Sequence, residues 1–122
     1  MDDRARLGRA GEKESERYLR RQGHKIVCRN YRCPAGEIDL ISLDGKTIVF
    51  TEVKTRSDSE RANPEDAVNP AKRHRLVASA KCFIQQTRSQ GRAYRFDILA
   101  LTANAKGGLD IEHFKGAFSC KC

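Results

Sequence analysis

Two carboxylates and a lysine stand where this chain is otherwise most apolar. Asp39 lies within Glu37-Ile38-Asp39-Leu40-Ile41, and Glu52 and Lys54 lie within Val49-Phe50-Thr51-Glu52-Val53-Lys54. Burying an unpaired charge is costly, so each of these groups needs either a partner or a purpose. Carboxylates that converge can hold Mg²⁺, which takes oxygen ligands at roughly 2.0–2.1 Å and uses only one or two protein carboxylates, leaving water and phosphate oxygens to complete its shell. A lysine beside them can position a water or offset negative charge on a reacting phosphate. The competing reading is a salt-bridged strand face, with Glu52 answered by Lys54 and Asp39 by an arginine at the domain edge.

The elements that must position these groups follow from periodicity. Asp44-Gly45 separates two apolar runs, residues 37–43 and 47–54, and is a strong hairpin signature. A side-chain period of two puts Phe50, Glu52 and Lys54 on one face of the second strand. With Asp44-Gly45 as the two turn residues, Leu43 faces Lys46, Asp39 faces Phe50 and Glu37 faces Glu52. Asp39 is then diagonal to Glu52, roughly 7–8 Å away. Glu37 would bring a third carboxylate to the same point, and mutual repulsion there favours a cation.

Ahead of the hairpin, residues 4–22 read as a helix whose inner face is Leu7, Ala10, Gly11, Ser15, Tyr18 and Leu19, stopped by Gly23. Glu12 sits mid-helix, off that stripe. Residues 25–31 read as a first strand, followed by a turn at Cys33-Pro34-Ala35-Gly36. Residues 56–69, with Asn63-Pro64, read as a mobile loop. Pro70 opens a second helix running to about Thr87, with Leu76, Val77, Ala80, Phe83 and Ile84 facing the core. Strands at 94–101 and 109–114 complete the order αβββαββ, an α/β fold with a central mixed sheet flanked by helices. One domain covers residues 1–122, with flexible ends expected at about 1–5 and 119–122.

Lys and Arg number 24 against 16 Asp and Glu, a formal charge of +8, which favours a polyanion partner. Arg56, Lys72, Arg73 and Arg75 are the candidates for gripping phosphates, with His74 and the basic face of the first helix next. No helix-turn-helix, zinc finger or aromatic stacking platform is present and aromatics total 7%, so recognition should follow nucleic-acid structure rather than sequence. No run of roughly 20 apolar residues is present to cross a membrane, and Met1-Asp2-Asp3-Arg4 lacks the apolar stretch of a signal peptide, which predicts a cytoplasmic location. Five cysteines at 28, 33, 82, 120 and 122 are an odd number with spacings unlike a zinc knuckle, so neither a disulfide framework nor structural zinc is expected.

Gly36-Glu37-Ile38-Asp39-Leu40-Ile41 followed after Asp39 by twelve residues and then Glu52-Val53-Lys54 resembles the PD-(D/E)xK nuclease signature, whose members share the restriction-endonuclease-like fold. The proline that precedes the aspartate in that signature is replaced by Ile38, which removes no ligand. With Gly8-Arg9-Ala10-Gly11-Glu12, Asn30-Tyr31-Arg32 and the stretch from Glu52 to Arg56, the chain is similar to the YraN family of bacterial proteins over roughly residues 6–118. The resemblance implies a DNA endonuclease with Mg²⁺, or Mn²⁺, on Asp39 and Glu52, Lys54 as a catalytic residue and Glu12 approaching the metal from the first helix, as the corresponding glutamate does in archaeal Holliday-junction resolvases. It also implies branched or otherwise structured DNA as substrate and a homodimer, since two symmetric nicks need two sites. A non-catalytic nucleic-acid-binding module or a scaffold subunit on the same fold is the alternative.

Overall fold

The computed structural model describes residues 3–56 and 69–118, with side chains from residue 8 onward. The elements are α1 (Asp3–Arg21), β1 (Lys25–Cys33), β2 (Gly36–Asp44), β3 (Thr47–Arg56), α2 (Pro70–Gln86), β4 (Tyr94–Ala103) and β5 (Leu109–Phe118). They form one sheet in the order β1-β2-β3-β4-β5. Neighbours are antiparallel except β3 and β4, which run parallel and therefore need the crossover that α2 supplies.

Alternation along β4 shows how the layers stack. Phe96 and Ile98 pack with Ile38, Ile41, Ile48 and Phe50 beneath Leu76, Ala80 and Phe83 of α2. Leu99 and Leu101 pack with Leu40 and Leu19 of α1. Successive strand residues point to opposite faces, so the two helices cover opposite sides of the sheet, and the central strands are buried on both. This αβββαββ arrangement of a mixed sheet between helices is the restriction-endonuclease-like one.

The helices differ from expectation only in detail. The buried stripe of α1 is Gly11, Ser15 and Leu19, at four-residue spacing, whereas Ala10, expected inside, is exposed. Residues 3–5, expected as a flexible end, belong to α1. At α2 the Asn69 side chain accepts the Lys72 backbone N–H at 2.9 Å, and Pro70 occupies the first turn, where its missing donor costs nothing. Residues 1–2, 57–68 and 119–122 lie outside the described residues, and with them most of the Asn63-Pro64 loop and Cys120 and Cys122. Cys28, Cys33 and Cys82 are free thiols.

Gly11 is where α1 comes nearest to the sheet. A Cβ built there would lie 2.1 Å from Thr55 Cγ2, so a side chain at this position forces α1 and β3 apart. Gly11→Val should therefore lose about 2–3 kcal/mol of stability, the range for overpacking a close contact, measured as a lower urea midpoint at unchanged m-value.

The hairpin register needs correcting. Asp44 pairs with Thr47, so the turn residues are Gly45 and Lys46 rather than Asp44 and Gly45. Of the two, only Gly45 has a positive φ (61°), the requirement of a II′ turn with glycine first. Asp44 stays in the ladder, where its carboxylate meets Arg95 at 3.0 Å. The one-residue shift puts Leu40 opposite Thr51, so Asp39 and Glu52 come next, directly across from each other. Asp39 is thus not opposite Phe50, and Glu37 is not opposite Glu52.

Candidate active site

Asp39 sits where β2 departs from regular alternation. Ile38 and Ile41 belong to the same apolar cluster under α2, while Leu40 joins the one under α1, an arrangement that strict two-residue alternation forbids. The ladder to β3 stops at Leu40, and the Asp39 carboxylate takes over as acceptor, receiving the Val53 N–H at 2.8 Å. Asp39 thereby lies between the two faces. It opens into a cleft of about 320 Å³ that Glu12 and Arg9 of α1 also line, and it reaches Glu52, which faces α2.

The two carboxylates are in contact. Burial, and then the negative charge of Glu52, push the Asp39 carboxyl up to about 7, although the Val53 N–H opposes the rise. Protonated, Asp39 shares a hydrogen bond with Glu52, whose residue is only 8% exposed. Raised proton affinity makes the ionised pair costly. A carboxyl with a folded pKa above its unfolded value withdraws stability as pH rises through the interval between the two, here from about 4 to about 7. Asp39→Asn keeps an acceptor for Val53 and removes that loss. At pH 8 it should be more stable than the wild type by about 2 kcal/mol after solvent screening, with the gap closing below pH 4 in urea titrations.

Glu52 is answered from α2, not from its own strand. Lys72 Nζ lies 2.5 Å from Glu52 Oε1. Lys54, two residues along β3, is half-buried and makes no ion pair with another described residue. Glu37, expected as a third member of the acidic group, pairs instead with Arg32 at 3.4 Å in an exposed position. Among the described residues no group of three or more His, Cys, Asp or Glu gathers as a complete ligand set. The donors Asp39 and Glu52 nonetheless fit a hard divalent ion: they are two oxygen ligands in contact, and burial, followed by the charge of Glu52, raises the proton affinity of Asp39. Glu12 lines the cleft on the α1 side of Asp39, apart from that pair.

The residues expected to grip phosphates have four different fates. Arg75 is exposed and lines a second cleft with Glu37, Glu52 and Lys72, so it stands at the site's entrance. Lys72 is on Glu52. The Arg73 guanidinium lies 5.4 Å from the ring centre of Phe118, which turns it toward the end of β5. Arg56, expected to grip phosphate, is 7% exposed at the end of β3, where it pairs with Thr102 of β4.

The family follows from the chain itself. The sequence pattern of uncharacterised protein family UPF0102 matches residues 11–101. This chain belongs to that family, the YraN family. A UPF0102 protein of Caldicellulosiruptor saccharolyticus is 39% identical over 113 residues, covering 92% of this chain and 96% of the relative. One from Solibacter usitatus is 44% identical over 113 residues, covering 91% and 84%, and one from Chlorobium limicola is 38% identical over 117 residues, covering 92% and 91%. The stretch shared with UPF0102 contains Glu12, Asp39, Glu52, Lys54, Lys72 and Arg75, so the family match spans the whole site.

One buried network of this UPF0102 protein went unforeseen. Asp97 is 1% exposed on β4 and accepts from Arg95 Nε at 3.0 Å and from the Gly116 N–H at 3.0 Å, with His113 Nε2 at 2.7 Å. Tyr18 Oη meets His113 Nδ1 at 3.1 Å, and Arg95 continues to Asp44. Burial would raise the Asp97 pKa, but the bonds from His113, Arg95 and Gly116 outweigh it and hold the carboxyl below its usual value. Nearby, His24 Nδ1 lies 2.9 Å from Ser42 Oγ, and burial lowers the His24 pKa. Both are too buried for a substrate to reach, at 5% and 0% exposed, so this pair fastens the turn after α1 to β2 and offers no nucleophile. The signal was available: Asp97 interrupts Phe96 and Ile98 as Asp39 interrupts Ile38 and Leu40.

Proposed function

We propose that this chain is a metal-dependent endonuclease that hydrolyses phosphodiester bonds in structured or branched DNA during repair or recombination. The observation that carries the reading is the contact between Asp39 and Glu52, side by side from adjacent strands, with Lys54 next along β3. Asp39 and Glu52 would hold Mg²⁺ or Mn²⁺. When bound, such an ion polarises a phosphate and lowers the pKa of water. Lys54 would hold the attacking water and offset charge gathering on the phosphate, and Glu12 would orient water from the α1 side. Arg75 at the entrance, with the excess of 24 basic over 16 acidic residues, supplies attraction for the DNA backbone.

The Lys72–Glu52 pair favours a second reading, since a DNA-binding module without catalysis would keep its buried carboxylate neutralised in just this way. One assay separates them. The purified chain is incubated with four-way-junction, single-stranded and duplex DNA in Mg²⁺, Mn²⁺ or EDTA, beside Asp39→Ala and Lys54→Ala. Metal-dependent cutting that both variants lose supports the endonuclease. Retention of DNA without cutting supports the module, and cutting by both variants at the wild-type rate removes the assignment. The described residues include no helix long and apolar enough to cross a membrane, and we place the activity in the cytoplasm.

A further inference from the structure

We propose that Lys72 is the resident counter-ion of the Asp39–Glu52 pair, and that a divalent cation enters only as the Lys72 ammonium leaves Glu52. The proposal rests on the endonuclease reading above and adds a residue that neither the nuclease signature nor the strand pattern assigns.

At 2.5 Å the ammonium occupies one oxygen of Glu52, whose side chain is 10% exposed, so the pair is shielded from the solvent that weakens surface ion pairs. Asp39 lies directly across the strand pair from Glu52, so the Lys72 charge acts next to both carboxylates. A divalent ion held by the same two groups would share a site with this ammonium, and two cations that close repel. One of them must yield.

The lysine is free to do so. Its side chain is 31% exposed and rises from the first turn of α2, where the Asn69 cap fixes the backbone, so release needs a side-chain rotation rather than a helix movement. The space beside it is the cleft of about 230 Å³ that Arg75 also lines. Rotated into that cleft, Lys72 would stand with Arg75 at the entrance, where two cations suit a phosphate. Lys72 is thus a positioning residue: it keeps the acidic pair stable without an ion and moves toward the substrate when the ion arrives.

The test is Mn²⁺ binding to the full chain, read from the free-ion signal by electron paramagnetic resonance at pH 8, for the wild type and Lys72→Met, Lys72→Gln, Lys72→Arg, Arg75→Gln and Asp39→Asn. Either neutral variant at 72 should tighten Mn²⁺ by about tenfold, the scale expected for removing one close charge from a partly screened site. Lys72→Arg should bind like the wild type or more weakly, Arg75→Gln should change affinity by less than about twofold, and Asp39→Asn should bind none. Wild-type affinity or weaker in both neutral variants, with Asp39→Asn still inert, overturns the counter-ion role and leaves the metal reading standing. Equal tightening by Arg75→Gln also overturns it, since a general field effect would then suffice. No binding by any of the proteins overturns both.

Discussion

Lys54→Ala is expected to lower metal-dependent cleavage by roughly 10²–10⁴-fold while changing DNA affinity by less than about threefold, because an amine that holds water and meets developing charge acts mainly in the transition state. The structure makes this a clean experiment. Lys54 is half-buried on β3 and engages no acidic partner among the described residues, so alanine breaks no ion pair there. Its cost to folding should stay near 0.5 kcal/mol, the usual scale away from buried features. Single-turnover cleavage rates, with DNA affinity measured in EDTA by fluorescence anisotropy, separate the two effects. A loss of binding that matched the loss of rate would make Lys54 a phosphate contact instead.

Asp97→Ala carries the largest expected effect on stability. It strips Arg95 and His113 of a buried partner and leaves the Gly116 N–H without its acceptor, and breaking one side of a buried pair costs about 3–5 kcal/mol. Against a typical total of roughly 5–15 kcal/mol, the variant should unfold at much lower urea and be partly unfolded at 37 °C. Asp97→Asn, which keeps an acceptor, should lose less. Tyr18 and His113 form an edge-on ring contact at 5.5 Å in this network, so circular dichroism in the near ultraviolet follows its loss directly. Asp97 lies in neither cleft of the candidate site, so the Asn variant, assayed where it is folded, should keep its metal affinity.

The two buried aspartates show what could be read from the sequence. An acidic residue inside an apolar strand announces a special environment, and the Asp39-to-Glu52 spacing turned that into an expected pair. The layer order was legible too, because alternation and the four-residue repeat of Gly11, Ser15 and Leu19 are local properties of the chain. The register was misread by one residue because Asp-Gly can serve either as both centres of a turn or as its last strand residue followed by its first centre, and the choice depended on Arg95, fifty-one residues away. The competing salt-bridged reading, which answered Glu52 with Lys54, missed the partner for the same reason. Lys54 is near in sequence, but Lys72 is delivered by the crossover that makes β3 and β4 parallel, a matter of topology that no local pattern encodes. Arg56 was read as a phosphate contact, a role for a surface arginine, but it is buried at the end of β3.

The path of the chain also sets an order of assembly. A tight hairpin brings the acidic strand pair together by closing a short loop, which forms quickly, whereas the helix that answers it arrives only after a longer connection and a non-local strand pairing. A nascent polypeptide would therefore hold its two carboxyl groups together for a time with nothing opposite them. Refolding followed by pulsed deuterium labelling should find the amide of Val53 protected ahead of those in α2. The reverse sequence would mean that the helix docks first and recruits the hairpin.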